Sequence, residues 1–294
     1  MTQTQTPNLD APARQSRPGK GRGGQKSPTW LHAILIPVAF LWMVPLLMVV
    51  SLSLMPPENS RTTFFSLFPE QWSFKNYVII WSQNPILLHL ANSLMITVPS
   101  VILTCVFGMM AAFALARLKV PAKALIFGAL ILALILPMAS IVVATYKILQ
   151  SMSLYNNLIG LILVYTALGL PFAVITIRTS YLAIPMETFE AARIDGCNSW
   201  QILWRIYFPL GKPALAVVAI WQTMMTWNDF LLPLVSLSDN NLKPLTLVPL
   251  AYRGIYLSQP GALFAILVLI SIPVIGLFVV IQRYLVNGLA GAVK

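Results

Sequence analysis

Long runs of apolar residues with few or no charged side chains constrain the fold of this chain most strongly. At a rise of about 1.5 Å per residue, about 20 helical residues cross the hydrocarbon layer of a bilayer. Only 9% of the residues are charged and 58% are hydrophobic, whereas a soluble domain carries about 25% charged residues. The sequence therefore predicts an all-α integral membrane protein with six transmembrane helices, at Leu31–Met55, Leu87–Leu115, Ala124–Tyr146, Leu158–Ile177, Pro213–Leu237 and Ala262–Leu285.

The N-terminal region has a different composition. Residues 1–29 are rich in Gly, Pro, Gln, Ser and Thr, contain almost no apolar residues, and carry five basic side chains. Such a segment has too little apolar surface to bury and is predicted to be disordered. The chain is therefore predicted to contain two domains, a basic tail at 1–29 and a six-helix transmembrane domain at 30–294.

The basic residues indicate the orientation in the membrane. Six spans place both termini on one side, and 14 of the 19 Lys and Arg residues lie on that side. The positive-inside rule then predicts that both termini, and the polar stretch between the fourth and fifth spans, are cytoplasmic. Despite the net charge of +11, no basic stripe interleaved with aromatic residues is present, so no nucleic-acid partner is expected.

The polar stretch at Ile184–Pro213 is expected to fold as two short helices. Pro185 suits the first position of a helix, and Gly196 is placed to end that helix in a left-handed turn. Asn198 then caps a second helix, with Gln201 reaching back in a capping box. Pro209 is expected to stop this second helix.

A motif in this stretch resembles one in a known family. Glu190, Ala191 and Ala192 are followed at fixed spacing by Gly196 and by Phe208-Pro209. This pattern resembles the EAA motif of ABC importer permeases, in particular the carbohydrate-uptake group and its maltose-type second permease subunit. The family usually has Leu before the last Pro, where this chain has Phe208.

The resemblance implies a bacterial inner-membrane permease that couples to a separate ATPase dimer. It also implies a second related permease and an extracytoplasmic solute-binding protein. The first short helix would dock into a cleft on the ATPase, and Glu190 and Arg193 are spaced to form an ion pair. Without the motif, an amphipathic helix lying on the membrane surface is the alternative. The residues assigned to coupling are Glu190, Ala191, Ala192, Arg193, Asp195, Gly196 and Pro209.

A polar group in the fifth span is the candidate substrate path. Trp227, Asn228 and Asp229 combine an aromatic face with amide and carboxylate groups, which suits a sugar; Asn92 in the second span is a further candidate. The alternative is interhelical hydrogen bonding with an interfacial Trp. Since the spans show no cluster of Lys or Arg, a neutral polyol is favoured over a sugar phosphate.

The sequence shows no catalytic motif. It has no phosphate-binding loop, no metal-ligand pattern and no nucleophile motif, so no metal site, no cofactor and no enzymatic activity are expected. The predicted function is a permease subunit for a sugar or oligosaccharide. The alternatives are an ion-driven secondary transporter, which usually has more spans in repeated halves, and an importer permease for another solute such as a glycerol phosphate.

Overall fold

The computed structural model describes residues 29–58, 68, 71–252 and 259–291, with side chains at 31–58, 68, 71–252 and 259–279. The tail predicted to be disordered lies outside the described residues, apart from the backbone of Thr29. The described residues divide between Val44 and Pro45 into two units, one with residues 29–44 and one with the described residues from 45 to 291. The described residues are mostly helical and include no strand.

The α-helices are α1 Thr29–Ser53, α2 Lys75–Gln83, α3 Ile86–Arg117, α4 Lys123–Ile135, α5 Met138–Ser151, α6 Leu158–Leu182, α7 Met186–Ile194, α8 Ser199–Ile202, α9 Phe208–Leu210, α10 Lys212–Asn228, α11 Leu231–Ser236 and α12 Pro260–Gly291. A π-helical turn at Leu203–Tyr207 separates α8 from α9, and 3₁₀ helices occupy Asn240–Leu242 and Leu245–Tyr252.

Four helices in the described part of the chain are long and apolar enough to cross a membrane: Leu31–Ser53, Ile86–Arg117, Leu158–Leu182 and Pro260–Val279. Two further spans arise if each of two bent helix pairs counts as one: α4 with α5, bent by 107°, and the α8–α9 segment with α10, bent by 77°. The six predicted segments therefore correspond to four continuous helices and two broken ones.

The predicted third span is not one helix. Leu136 (ψ 122°) and Pro137 (ψ 136°) are both extended, and they separate α4 from α5. Proline has no N–H to donate and disfavours the helical region for the residue before it. The two effects together end α4 at Ile135, where the sequence analysis expected a helix through to Tyr146.

The predicted fifth span is also interrupted. Helix α10 ends at Asn228, and Asp229 is extended with ψ 135° before α11 begins at Leu231. The Asp229 carboxylate accepts a hydrogen bond from the Leu231 backbone N–H at 3.0 Å. The side chain thus satisfies a donor that the start of α11 would otherwise leave free. At the other end of the chain, α12 continues to Gly291, beyond the expected end at Leu285.

Helices α3 and α6 form the centre of the unit at 45–294. They approach closely at Gly108, where an added Cβ would lie 2.7 Å from the Ala173 Cβ. Small residues at such a crossing allow the backbones of membrane helices to come together. Gln222 of α10 is fully buried beside them, and its amide donates to the Tyr165 carbonyl at 2.9 Å. This core supports the segment that contains the motif.

Candidate functional site

Helix α7 carries the first half of the motif. It begins one residue later than expected, because Pro185 (ψ 143°) is extended and occupies the N-cap position, before Met186. Glu187 lies in the first turn and Arg193 in the last. Both charges are placed favourably with respect to the helix dipole, with the acid near the positive end and the base near the negative end.

Gly196 forms the expected left-handed turn. Its φ is +81°, and its N–H donates to the Arg193 carbonyl at 3.2 Å. The next residue, Cys197, donates to the Ala192 carbonyl at 3.0 Å. These two bonds satisfy carbonyls at the end of α7 in the manner of a glycine C-cap. An added Cβ at Gly196 would meet no atom within 4 Å, so only the backbone conformation requires glycine here.

The capping box of α8 is present as predicted. The side-chain oxygen of Asn198 accepts a hydrogen bond from the Gln201 backbone N–H at 2.9 Å. The side-chain oxygen of Gln201 accepts one from the Asn198 backbone N–H, also at 2.9 Å. Two backbone donors at the start of the helix are satisfied reciprocally.

Pro209 does not stop the second helix, contrary to expectation. The helix widens into the π-helical turn at Leu203–Tyr207 and continues through Pro209 to Leu210. In this turn the Phe208 N–H donates to the Leu203 carbonyl, five residues back. Such wider turns occur as single insertions and often at functional sites. The chain then bends by 77° into α10.

Helix α7 has one buried and one exposed face. Phe189 and Ala192 pack into the protein, whereas Glu190, Ala191 and Ile194 are exposed, Ile194 by 86%. The two alanines of the motif therefore have different surroundings: Ala191 faces outward and Ala192 contacts the chain's own core. Spacing alone did not distinguish them.

The expected pairing of Glu190 with Arg193 does not form. In the described part of the chain, the ion pair that occurs joins Lys75 to Glu58 at 3.6 Å. Both α7 side chains are exposed, and both charges therefore remain available on the outward side of the helix.

Arg117 is one of the basic residues that indicate the orientation in the membrane, and the structure gives it further contacts. It lies in the last turn of α3, and its Nη2 donates to the carbonyls of Tyr181 and Ile184, which end α6 and lead into α7. Its guanidinium carbon lies 5.4 Å from the ring centroid of Tyr207, in the π-helical turn. The sequence shows that a basic residue lies at the end of an apolar span. It does not show which residues this side chain contacts, because those contacts depend on tertiary structure.

The candidate path residues differ in their contacts. The Trp227 ring is buried, and its Nε1–H donates to the Ile270 carbonyl of α12 at 3.1 Å. Asn228 is exposed, and within the described part of the chain its side chain donates to the Met224 carbonyl of its own helix. Asp229 is half-buried and accepts a hydrogen bond from the Tyr165 hydroxyl at 2.7 Å. Of the three, Asn228 has the most accessible side chain.

Asn92 of α3 makes hydrogen bonds to a loop. Its side-chain amide is buried and donates to the carbonyls of Asn241 at 2.7 Å and Lys243 at 3.1 Å. His89 also contacts the Lys243 carbonyl, and Ser93 accepts from the Leu245 N–H. These contacts hold the loop after α11 against the start of α3, a packing role that uses both amide hydrogens of Asn92.

The chain belongs to the family described as the inner membrane component of binding-protein-dependent transport systems, whose model matches residues 26–291. It is thus a multi-pass permease subunit of an ABC importer and a transport protein rather than an enzyme. Permeases of this kind act with a second permease, an ATPase and a solute-binding protein.

Among its relatives, the diacetylchitobiose uptake system permease protein NgcG of Streptomyces coelicolor is 34% identical, over 86% of this chain and 84% of that protein. The trehalose transport system permease protein SugB of Mycobacterium tuberculosis is 31% identical, over 92% of this chain and 99% of its own length. A subunit of a bacterial ABC transporter that imports the acidic polysaccharide alginate has the same fold, with a TM-score of 0.75 and 23% identity over 87% of this chain and 95% of that one.

Proposed function

We propose that this permease imports a neutral sugar or oligosaccharide and that α7 is its coupling helix. Relatives serve diacetylchitobiose uptake and trehalose transport, and both sugars are neutral and rich in hydroxyl groups. The family match at 26–291 supports a permease domain at 30–294.

The exposed face of α7 is the observation that carries the coupling role. Ile194 is a large apolar side chain exposed by 86%, flanked by the unpaired charges of Glu190 and Arg193. Protein interfaces combine an apolar centre with a polar rim, and Ile194 with its charged neighbours can supply both. On this proposal Glu190, Ala191, Arg193 and Asp195 contact the ATPase, whereas Ala192, Gly196 and Pro209 maintain the shape of the segment.

We place α7 and both termini in the cytoplasm. Arg117 contacts the residues just before α7, and the Arg178 Nε of α6 donates to the carbonyl of Leu115, two residues before Arg117 in α3. The concentration of basic residues at this end supports the orientation, since cytoplasmic ends carry the excess of Lys and Arg.

For the substrate path, we assign Asn228 as a residue that contacts the substrate. Asp229 lies at the break between α10 and α11 and is assigned as a residue that lines the path. Trp227 and Asn92 border the path, and their hydrogen bonds to Ile270 and to the Asn241 and Lys243 carbonyls give them a packing role. The mixture of amide, carboxylate and aromatic groups matches the hydroxyls and ring faces of a sugar.

Affinity purification of the tagged chain from native membranes in mild detergent tests the coupling role. We expect an ATPase and a second permease to co-purify with the wild type. Ile194→Asp should lose the ATPase, because it replaces an apolar contact with a charge, whereas Ile194→Leu should retain it. Recovery of the chain alone, in a preparation where other membrane complexes survive, would contradict the proposal.

Uptake by intact cells tests the substrate class. Labelled trehalose, diacetylchitobiose and glycerol phosphate are compared in cells with and without the gene for this chain. We expect gene-dependent uptake of a neutral sugar that stops on ATP depletion and survives collapse of the ion gradient. The reverse dependence would favour a secondary transporter, and gene-dependent uptake of glycerol phosphate alone would refute the neutral-sugar assignment.

A further inference from the structure

Arg117 contacts the segment that leads into α7, the first turn of α7 and the π-helical turn that follows α8. Besides the Tyr181 and Ile184 carbonyls and the Tyr207 ring, its Nη1 lies 3.4 Å from the Met186 sulfur in the first turn of α7. One side chain at the end of α3 thereby touches the end of α6, the start of α7 and the π-helical turn.

We propose that Arg117 is a positioning residue that makes α7 move as one body with α3 and α6. This inference rests on the proposed coupling role of α7 and adds the route by which its movement enters the membrane. A guanidinium is suited to the task because its planar fork donates several hydrogen bonds in fixed directions. Hydrogen bonds from a charged donor are also stronger than neutral ones.

Aromatic packing reinforces the same connection. The Tyr207 ring meets Phe113 of α3 edge-on, with centroids 5.0 Å apart, and meets Tyr181 of α6 at 5.1 Å. Phe189 of α7 packs against Phe113 at 6.2 Å. Both tyrosine hydroxyls are buried without a hydrogen-bond partner in the described part of the chain, so the two rings act here through packing and through the Arg117 cation.

The path from α7 into α10 has a different character. It passes through the π-helical turn and a 77° bend at Gly211. The Tyr181 ring fills the space beside Gly211, where an added Cβ would lie 2.6 Å from Cε1. Movement of α7 therefore reaches α3 and α6 through the contacts of Arg117 and Tyr207. It reaches α10 through the bent connection and through the shared core, which includes Ala214 and Val218 of α10.

A purely structural role is the competing explanation, because the same hydrogen bonds cap the C-terminal end of α6. The two roles differ in what the substitution changes. A cap affects how much protein folds and inserts. A positioning residue affects the relative movement of α7 and α3 in protein that has inserted and assembled normally.

Distance measurements between two spin labels distinguish the capping role from the positioning role. The labels are placed by Glu187→Cys, in the exposed first turn of α7 and outside the residues assigned to the ATPase contact, and by Met95→Cys, on the exposed side of α3, with Cys105 and Cys197 replaced by serine. The purified complex with its ATPase is measured without nucleotide and after trapping with ATP and vanadate. We expect the distance to stay constant between the two states in the wild type and in Lys119→Gln, which removes a nearby exposed charge. In Arg117→Gln it should shift by about 2 Å or more, the scale of helix movements at interfaces.

A second pair of variants keeps the test decisive if Arg117→Gln does not accumulate. Tyr207→Leu, which removes the ring, should behave as Arg117→Gln, whereas Tyr207→Phe, which removes only the unpartnered hydroxyl, should behave as the wild type. A wild-type distance that changes on trapping would overturn the inference, as would Arg117→Gln or Tyr207→Leu variants that keep the distance constant. Failure of the wild type to co-purify with an ATPase would instead refute the proposed coupling role.

Discussion

Gly196 combines open space with a backbone conformation that most residues avoid. Its φ of +81° lies in the left-handed region, yet nothing within 4 Å would clash with a side chain. The cost of a substitution is therefore conformational, about 1–2 kcal/mol for an ordinary L-residue and less for Asn.

Gly196→Val should uncouple transport from ATP hydrolysis while the protein still inserts, because the strained turn displaces the end of α7. The measurement is ATP hydrolysed per sugar imported in the reconstituted complex. Gly196→Asn is the matched control and should remain close to the wild type, since Asn tolerates the left-handed conformation. Full coupling in Gly196→Val would refute this role for the turn.

Asp229 combines a structural and a proposed functional position. Its carboxylate accepts from the Tyr165 hydroxyl at 2.7 Å and from the Leu231 N–H at 3.0 Å. We expect Asp229→Ala to lower uptake and substrate-stimulated ATPase activity. Tyr165→Phe removes one of the same hydrogen bonds but leaves the carboxylate in place, so it should lower both activities less. Equal effects of the two substitutions would assign Asp229 to packing alone, and unchanged uptake in Asp229→Ala would exclude it from the path.

At the scale of helices, the crossing of α3 and α6 leaves no room for an extra methyl group at Gly108. Gly108→Ala would place Cβ 2.7 Å from the Ala173 Cβ, and overpacking of this kind costs about 1–3 kcal/mol. We expect a lower melting temperature of the purified protein in mild detergent. Gly128→Ala, in α4, is the control, because an added Cβ there meets nothing within 4 Å. Its melting temperature should equal or exceed that of the wild type.

The helices also show which features sequence patterns determine. The capping box at Asn198 and the turn at Gly196 were predicted correctly because both depend on neighbouring residues. The partners of Arg117 and the inward position of Ala192 depend on contacts between distant helices, which no local pattern specifies. The break at Pro137 depends on both local sequence and tertiary contacts. The sequence shows the proline, but whether it breaks the helix fully or only kinks it depends on the surrounding residues.

For the whole molecule, the orientation in the membrane gives a direct test. In a cysteine-free background, a cysteine at Asn240 should react with an impermeant maleimide added outside the cell, because this loop lies at the end of α3 opposite to Arg117. A cysteine at Glu187, which is exposed in α7 and outside the residues assigned to the ATPase contact, should react only after the membrane is permeabilised. The opposite pattern would invert the topology and would place α7 where no cytoplasmic ATPase can reach it.

The shared contacts of Phe113, Phe189 and Tyr207 have a consequence for genetics. A mutation that weakens the proposed ATPase contact of α7 is most simply compensated where α7 is held, so second-site suppressors should fall at the end of α3 that contains Arg117 and at the end of α6 that leads into α7. Selection for restored growth on the transported sugar, starting from an Ile194 variant, would map them by sequencing. Suppressors confined to α10 would instead indicate that coupling defects are transmitted along the covalent chain rather than through the contacts with α3 and α6.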